Sequence, residues 1–125
     1  MSMRYFTIDE ANALIPELEP LVSELLKRRA RASRESREMG PMLSDLRSDV
    51  GGPQATHLAG EFAEIERLVG QVQAYGCVIK SLEAGLVDFL CERDGRDVFL
   101  CWRFGEPHIE YFHELHTGFQ SRQRL

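Results

Sequence analysis

The first third of the chain carries apolar residues at helical spacing. They recur three and four positions apart, which predicts one wide apolar stripe along a helix: Leu14, Ile15, Leu18, Leu21, Val22, Leu25 and Leu26. Proline fits best in the first turn of a helix, and Pro16 and Pro20 interrupt this pattern. We therefore predict a short helix at residues 8–14, a bend, and a long helix to about residue 39, together helix 1 (residues 8–39).

Capping and turn residues predict where helix 1 begins and ends. Thr7 and Glu10 have the spacing of a capping box, in which each side chain accepts a hydrogen bond from the other residue's backbone N–H. Gly40-Pro41 and Gly51-Gly52-Pro53 bound a polar segment, and such pairs favour turns. We interpret residues 40–53 as a linker.

A second helix is predicted over residues 54–76. Its apolar positions alternate in steps of three and four, as in the seam of a coiled coil: Ala55, Leu58, Phe62, Ile65, Val69 and Val72. Gly76 is a candidate for its end. Two such helices bury their stripes most simply against each other, so the pattern predicts a long antiparallel helical hairpin.

The C-terminal third changes to a strand-like pattern. Asp94-Gly95 is the strongest short signal for a two-residue turn and predicts a β-hairpin over residues 86–104, in which Asp88 pairs with Cys101. Alternation places one apolar set on the face that would cover the helices: Val87, Phe89, Cys91, Val98, Leu100, Trp102 and Phe104. The opposite face is mixed and carries the ionisable groups.

The remaining residues, 105–125, are interpreted as an irregular tail. Within it, residues 109–115 fit either a short helix or an extended run, and four side chains are expected to be core anchors: Tyr111, Phe112, Leu115 and Phe119. The predicted fold is thus α+β, mainly α, in a single domain whose β-hairpin and tail pack on one end of the helical pair. The exposed ends of the apolar stripes predict a homodimer.

Composition narrows the class of protein. The chain has 125 residues, three cysteines without CxxC spacing and a net charge of -5. These values fit one soluble domain with reduced thiols and disfavour a disulfide scaffold or a nucleic-acid binder. We find no membrane-length apolar run and no signal peptide, so we expect a cytoplasmic protein. The basic residues 27–38 are interpreted as a solvated helix end, with a phosphate or nucleic-acid patch as the alternative.

Two parts of the chain carry distinctive motifs. The first is Phe6-Thr7-Ile8-Asp9-Glu10-Ala11-Asn12-Ala13-Leu14-Ile15-Pro16. The second comprises Gly85-Leu86-Val87-Asp88-Phe89, Arg93-Asp94-Gly95-Arg96, Leu100-Cys101-Trp102-Arg103, Gly105-Glu106-Pro107, His113-Glu114-Leu115, Gly118-Phe119 and Arg122-Gln123. Together they resemble the signature of domain-of-unknown-function family 2203, small uncharacterised bacterial proteins. The resemblance implies membership but no activity, and it disfavours His108 and His116 as site residues because they depart from the family's pattern.

Metal-capable side chains are dense in residues 106–116, where three Glu and three His occur without Lys or Arg. Glu110 and His113 have a spacing that, on a helix, directs a carboxylate and an imidazole to one metal. Asp88 and Cys101 from the hairpin would complete a mixed site, which suits zinc, or iron if oxygen ligands dominate. The alternative is a solvated acidic segment in which His113 bonds a carboxylate or a backbone carbonyl.

The same region also fits a polar network without a metal. Arg103 offers a planar fork that would pair with Asp88 or Glu106 and lock the hairpin and tail onto the helices. A histidine beside a carboxylate, with an arginine nearby, also suits a small anionic ligand. The candidate ligand-binding residues are Asp88, Arg103, Glu106, His113, Glu114 and Arg122.

These observations predict a small binding or scaffold protein with a polar C-terminal site. The alternative is a zinc or iron metalloprotein, which includes a metalloenzyme, that uses His113 with nearby carboxylates and Cys101. A nucleophilic role for Cys101 is disfavoured because an adjacent carboxylate opposes formation of the thiolate.

Overall fold

A computed structural model describes residues 3–44 and 52–125. Its elements in chain order are α1 (Ile8–Ser44), α2 (Pro53–Gln73), β1 (Val78–Ser81), β2 (Leu86–Arg93), β3 (Arg96–Arg103), β4 (Tyr111–Glu114), a short 3₁₀ turn (Phe119–Ser121) and β5 (Gln123–Arg124). The strands form one antiparallel sheet in chain order. Two helices and this sheet confirm the predicted α+β class.

Helix α1 begins at the predicted capping box. The Thr7 backbone N–H donates to Glu10 Oε1 over 2.8 Å, and the Glu10 N–H donates to Thr7 Oγ1 over 3.0 Å. The helix then continues through Pro16 and Pro20, so the predicted separation of residues 8–14 by a bend is wrong. Both prolines are exposed, and the buried stripe continues on either side of them, which favours one continuous helix.

The helix bounds differ from the predicted ones at the linker. Helix α1 extends beyond residue 39 to Ser44, and α2 begins at Pro53, with proline in its first turn, where the missing N–H has no cost. Residues 40–44 are therefore helical, and the rest of the predicted linker, residues 45–51, lies outside the described residues. Within the described residues, neither helix has an apolar stretch long enough to cross a bilayer.

The two helices share a buried apolar interface, but the predicted seam of α2 is wrong at Phe62 and leaves out the buried Leu68. Phe62 is 48% exposed, whereas the neighbouring Glu61 is only 7% exposed. Arg28 and Arg31 of α1 donate to the Glu61 carboxylate over 3.0 and 3.2 Å. A buried charge is tolerated when it is paired in this way, so the helix turns its carboxylate inward and its phenyl ring outward.

Several ion pairs of the basic segment of α1 are made with α2. Glu35 of this segment lies 3.2 Å from His57, near the start of α2, and Arg31 contacts Glu61 further along. These contacts join later positions of α1 to earlier positions of α2. The long antiparallel form of the hairpin stays a prediction, because the residues that would join the helices are outside the described ranges.

The β2–β3 hairpin has the predicted turn and register. Asp94 and Gly95 have φ values of 53° and 79°, as a type I′ turn requires. Asp88 pairs with Cys101 and Val87 with Trp102, as expected. The predicted inner face is buried with α1 and α2 in one core: Val87, Phe89, Cys91, Val98, Leu100 and Trp102, with Phe104 partly buried.

The sheet is wider than predicted, and the tail is not irregular. Of the two forms expected for residues 109–115, the extended one is found: β4 pairs with β3, and β5 pairs with β4. On the other side, β1 pairs with β2 and was not predicted. Strands of two to four residues are too short to show a clear alternation, so only pairing with the long hairpin defines them. Leu115 and Phe119 are exposed rather than core anchors, whereas Phe112 is buried.

Candidate metal centre

Three ionisable side chains meet on the sheet face that is turned away from the helices. Asp88 lies on β2, Cys101 on β3 and His113 on β4, and one potential ligand atom of each lies within 4.8 Å of the other two. Cys101 is directly opposite Asp88, and His113 is opposite Phe99, two residues from Cys101. The three residues are 1%, 1% and 3% exposed. The structure thus brings together three of the four residues predicted as metal ligands.

The imidazole of His113 is held by hydrogen bonds at both nitrogens. Nδ1 lies 2.8 Å from the carbonyl oxygen of Glu114, and Nε2 lies 2.9 Å from Asp88 Oδ2. A carbonyl oxygen can only accept, so Nδ1 carries a proton and donates it. One further proton is then shared between Nε2 and the Asp88 carboxylate. With both nitrogens engaged, His113 has none free to act as a general base on a substrate.

The carboxyl group of Asp88 is only half satisfied. Its Oδ2 contacts His113, but its buried Oδ1 has no hydrogen-bond partner. Burial raises the pKa of Asp88, whereas the charge and hydrogen bond of His113 and the hydrogen bond of the Cys101 thiol to the carboxyl group oppose this rise. Because buried polar atoms are nearly always paired, an orphaned carboxylate oxygen calls for an explanation.

Cys101 is a poor nucleophile in this environment. Burial raises the pKa of its thiol to about 12, and the neighbouring Asp88 carboxylate adds to the shift. The thiol is therefore protonated at neutral pH, as the sequence reasoning expected. A cation bound at this place would reverse that balance, since a coordinating thiol loses its proton.

The predicted polar network has a different arginine at its centre. Arg122 donates to both carboxylate oxygens of Glu106, over 2.8 and 2.7 Å. The predicted pairing of Arg103 with Asp88 or Glu106 is wrong: its guanidinium lies over the Phe119 ring, 5.8 Å from the centroid. Arg103 contacts Glu106 only through its backbone N–H, over 2.7 Å. The Arg103 side chain is exposed at the end of β3.

Glu110 and Glu114 do not place their carboxylates in the group. Glu110 is 2.9 Å from His108 and 3.6 Å from Arg124. The helical spacing that joined Glu110 to His113 does not apply, because residues three apart in an extended chain point to opposite faces. The Glu114 carboxylate pairs with Arg96 over 3.0 Å, and Glu114 serves the group only through its backbone carbonyl.

The family model described as an uncharacterized conserved protein, DUF2203, matches residues 4–125. The chain belongs to this family. No curated protein and no solved structure matches it. The matched range includes Asp88, Cys101 and His113, so the whole group lies within the region that defines this DUF2203 protein. The family's description assigns no activity.

In this DUF2203 member, the group opens into a cavity of about 260 Å³. The cavity is also lined by residues that the sequence reasoning missed, of which Lys80 carries a charge: Lys80, Leu86, Thr117, Gly118 and Phe119. Lys80 belongs to β1, the strand that was not predicted. The β-branched pair Val78-Ile79 beside it, between the turn signals Gly76 and Gly85, is the only sequence signal for that strand.

Proposed function

We propose that this protein binds a divalent transition metal ion, with zinc preferred, through Asp88, Cys101 and His113. The observation that carries the proposal is the orphaned Oδ1 of Asp88, a carboxylate oxygen that is buried beside a thiol and an imidazole. A metal ion would supply the missing partner. Nitrogen, sulfur and oxygen donors of these types form mixed zinc sites in proteins.

The orientation of His113 supports this proposal. Histidines that bind metals usually donate their second ring N–H to a carbonyl or carboxylate, which fixes the tautomer. The Nδ1–H bond to the Glu114 carbonyl, 2.8 Å long, has this form. It directs the Nε2 lone pair toward Asp88 and Cys101, where a metal would lie.

Charge balance also supports a divalent ion. Asp88 and His113 share one proton, and the Cys101 thiol holds another. A divalent ion that displaces both protons meets one carboxylate, one thiolate and one neutral imidazole, so the site remains neutral. Metal binding should therefore release about two protons per ion.

The distances require only small movements. Zinc ligands at about 2.0–2.3 Å from a tetrahedral centre lie about 3.3–3.7 Å from one another. The Asp88–His113 contact of 2.9 Å would widen slightly, and the other two separations are at most 4.8 Å, which limits the movement that they require. The thiol favours zinc over iron, which prefers sites rich in oxygen and nitrogen. Three protein ligands leave one position open, as in catalytic rather than structural zinc sites.

Metal titration of untagged, chelator-treated protein tests the proposal. We expect about one zinc or cobalt ion per chain, with a thiolate-to-cobalt charge-transfer band in the cobalt form. Cys101→Ala should abolish that band and weaken metal binding by more than about 100-fold. Substitution of residues that only hydrogen-bond to metal ligands already lowers metal affinity by about 10–100-fold. Cys101→Ala is a small change at a buried site, so we expect it to fold.

Cys91→Ala is the matched control, because Cys91 is a buried thiol of the inner sheet face. It should bind metal like the unchanged protein. Uptake below about a tenth of an ion per chain would overturn the proposal, as would equal affinities in the two variants, since either result removes the thiol from the site. Circular dichroism of each variant separates loss of binding from loss of fold.

We also propose a cytoplasmic location and self-association for this protein. A thiol ligand needs a compartment that keeps it reduced, which supports the proposed cytoplasmic location. Self-association is supported by Phe62, a large apolar side chain left half exposed on α2. Analytical ultracentrifugation would show a dimer that Phe62→Ser weakens.

A further inference from the structure

The cavity above the proposed metal centre has two chemically different parts. Its floor carries the three candidate ligands, and its walls include the apolar side chains of Leu86 and Phe119. Its volume of about 260 Å³ is below the range of about 300–1,000 Å³ typical of pockets for drug-sized ligands. The space therefore fits a small molecule with one polar end and a short apolar body.

Lys80 provides a positive charge at the mouth of this cavity. Its ammonium lies 4.7 Å from the centroid of the Phe99 ring, a contact that holds the cation without neutralising it. Among the described residues, no carboxylate lies within salt-bridge distance of Lys80. The nearby charges of Glu106 and Arg122 are paired with each other.

Lys80 is the one Lys or Arg among the residues that line the cavity, and its charge acts on the Asp88 carboxyl. With that carboxyl engaged by a metal ion, the ammonium is available to a second anion. An anion that enters the cavity would meet this ammonium and the open metal position together. Metal ions and ammonium groups both favour an anionic oxygen ligand.

The Phe119 ring at the cavity is in contact with Arg122. Arg122 lies 4.6 Å from the Phe119 ring centroid and forms the two-bond pair with Glu106. The cavity is therefore lined by an apolar ring as well as by the charged Lys80. An anion with a hydrocarbon tail matches it better than a fully hydrated anion, because the tail buries apolar surface against the ring.

We propose that the cavity binds a small carboxylate with a short apolar tail, one oxygen of which takes the open metal position while Lys80 neutralises its charge. This inference rests on the metal site proposed above. Butyrate is the smallest simple probe that carries both features.

Titration of the cobalt-loaded protein with butyrate tests the inference, because a ligand at the open position changes the visible cobalt spectrum. We expect a saturable change, with butyrate binding about tenfold more tightly than acetate, whose tail is two methylenes shorter. Lys80→Gln should weaken butyrate binding by about tenfold and leave the cobalt stoichiometry unchanged. The matched control is Lys27→Gln, a change at the chain's other lysine, which is exposed on α1 and should have no effect.

The outcomes separate the two proposals. A protein that takes up no cobalt overturns both. A cobalt-loaded protein whose spectrum does not respond to butyrate, or responds equally in Lys80→Gln, overturns the carboxylate site alone. Tighter binding of inorganic phosphate than of butyrate would also overturn it, because the apolar walls would then have no part in recognition.

Discussion

Asp88 and His113 are held 2.9 Å apart across a strand that belongs to neither of them. Asp88 is on β2 and His113 is on β4, and β3 lies between these strands. The contact therefore links the predicted hairpin to the tail on the sheet face opposite the helices. Both side chains are nearly fully buried, so neither can exchange this contact for one with solvent, although His113 also donates to the Glu114 carbonyl.

Loss of one member of this pair should be costly without metal. His113→Leu removes the imidazole that pairs with the buried Asp88 carboxyl, and removal of one partner of a buried pair typically costs about 3–5 kcal/mol of unfolding free energy. The double variant Asp88→Leu/His113→Leu should cost less than the sum of the single changes, because no buried charge remains. Urea denaturation in the presence of a chelator measures the cycle. Additive effects would show that the two side chains do not stabilise each other.

Arg122 and Arg103 should differ in their contribution to stability. The Arg122 side chain is 12% exposed and makes two bonds to Glu106. Arg122→Ala should therefore lower the unfolding free energy by about 1.5–3 kcal/mol, the range for hydrogen bonds between charged groups.

Arg103→Ala is the matched control for this pair. The Arg103 side chain is exposed, so the change should stay within about 0.5 kcal/mol. Thermal and urea unfolding measure both variants. A larger effect at Arg103 than at Arg122 would contradict the assignment of the network to Arg122.

The helix interface gives a second pair of contrasting positions. Glu61→Ala removes the shared partner of Arg28 and Arg31 and should cost about 1–3 kcal/mol. Phe62→Ala should cost less than about 1 kcal/mol, because this ring is half exposed, instead of the 3–5 kcal/mol typical of a buried phenylalanine. Urea unfolding at low protein concentration compares them. A larger loss of unfolding free energy for Phe62→Ala than for Glu61→Ala would show that Phe62 packs in the helix interface.

The capping box predicts a pH dependence of stability. The hydrogen bond from the Thr7 backbone N–H lowers the pKa of Glu10 below its ordinary value. A carboxyl whose pKa is lowered by folding stabilises the fold above its ordinary pKa, and this stability is lost as the pH falls through the folded value. Glu10→Gln should therefore be less stable than the unchanged protein near neutral pH, with a difference that shrinks in acid.

Glu19→Gln, a change at an exposed position of the same helix, is the control for Glu10→Gln. It should lower stability less at neutral pH. Urea unfolding across the acidic range gives both differences. A difference for Glu10→Gln that grows as the pH falls would show that the folded state does not favour the ionised form.

Features of the fold that depend on neighbouring residues were predictable from the sequence. Thr7 and Glu10 are three positions apart, and their reciprocal bonds need only one helical turn. Asp94-Gly95 determines a two-residue turn, and that turn determines the pairing of Asp88 with Cys101. The density of metal-capable side chains around His113 marks it as a candidate ligand without any knowledge of its strand.

Features that depend on distant parts of the chain were not predictable in the same way. Whether Glu61 or Phe62 faces α1 depends on the positions of Arg28 and Arg31, and periodicity alone favoured the phenyl ring. The strand β1 is short, and only its pairing with β2 makes it a strand and brings Lys80 to the cavity. Whether Arg103 or Arg122 reaches Glu106 depends on how the last residues fold back.

By itself, the sequence determined the α+β class, the capped start of α1 and the hairpin with its register, because a helical turn and a tight turn are formed by residues that are close along the chain. Only the tertiary structure decided that β4 lies beside β3 and that His113 therefore meets Asp88 and Cys101. The physical reason is that pairing between short strands is selected by burial of the whole sheet. The free energy of this burial is spread over many residues, so the hydrophobic pattern of any one segment does not show it.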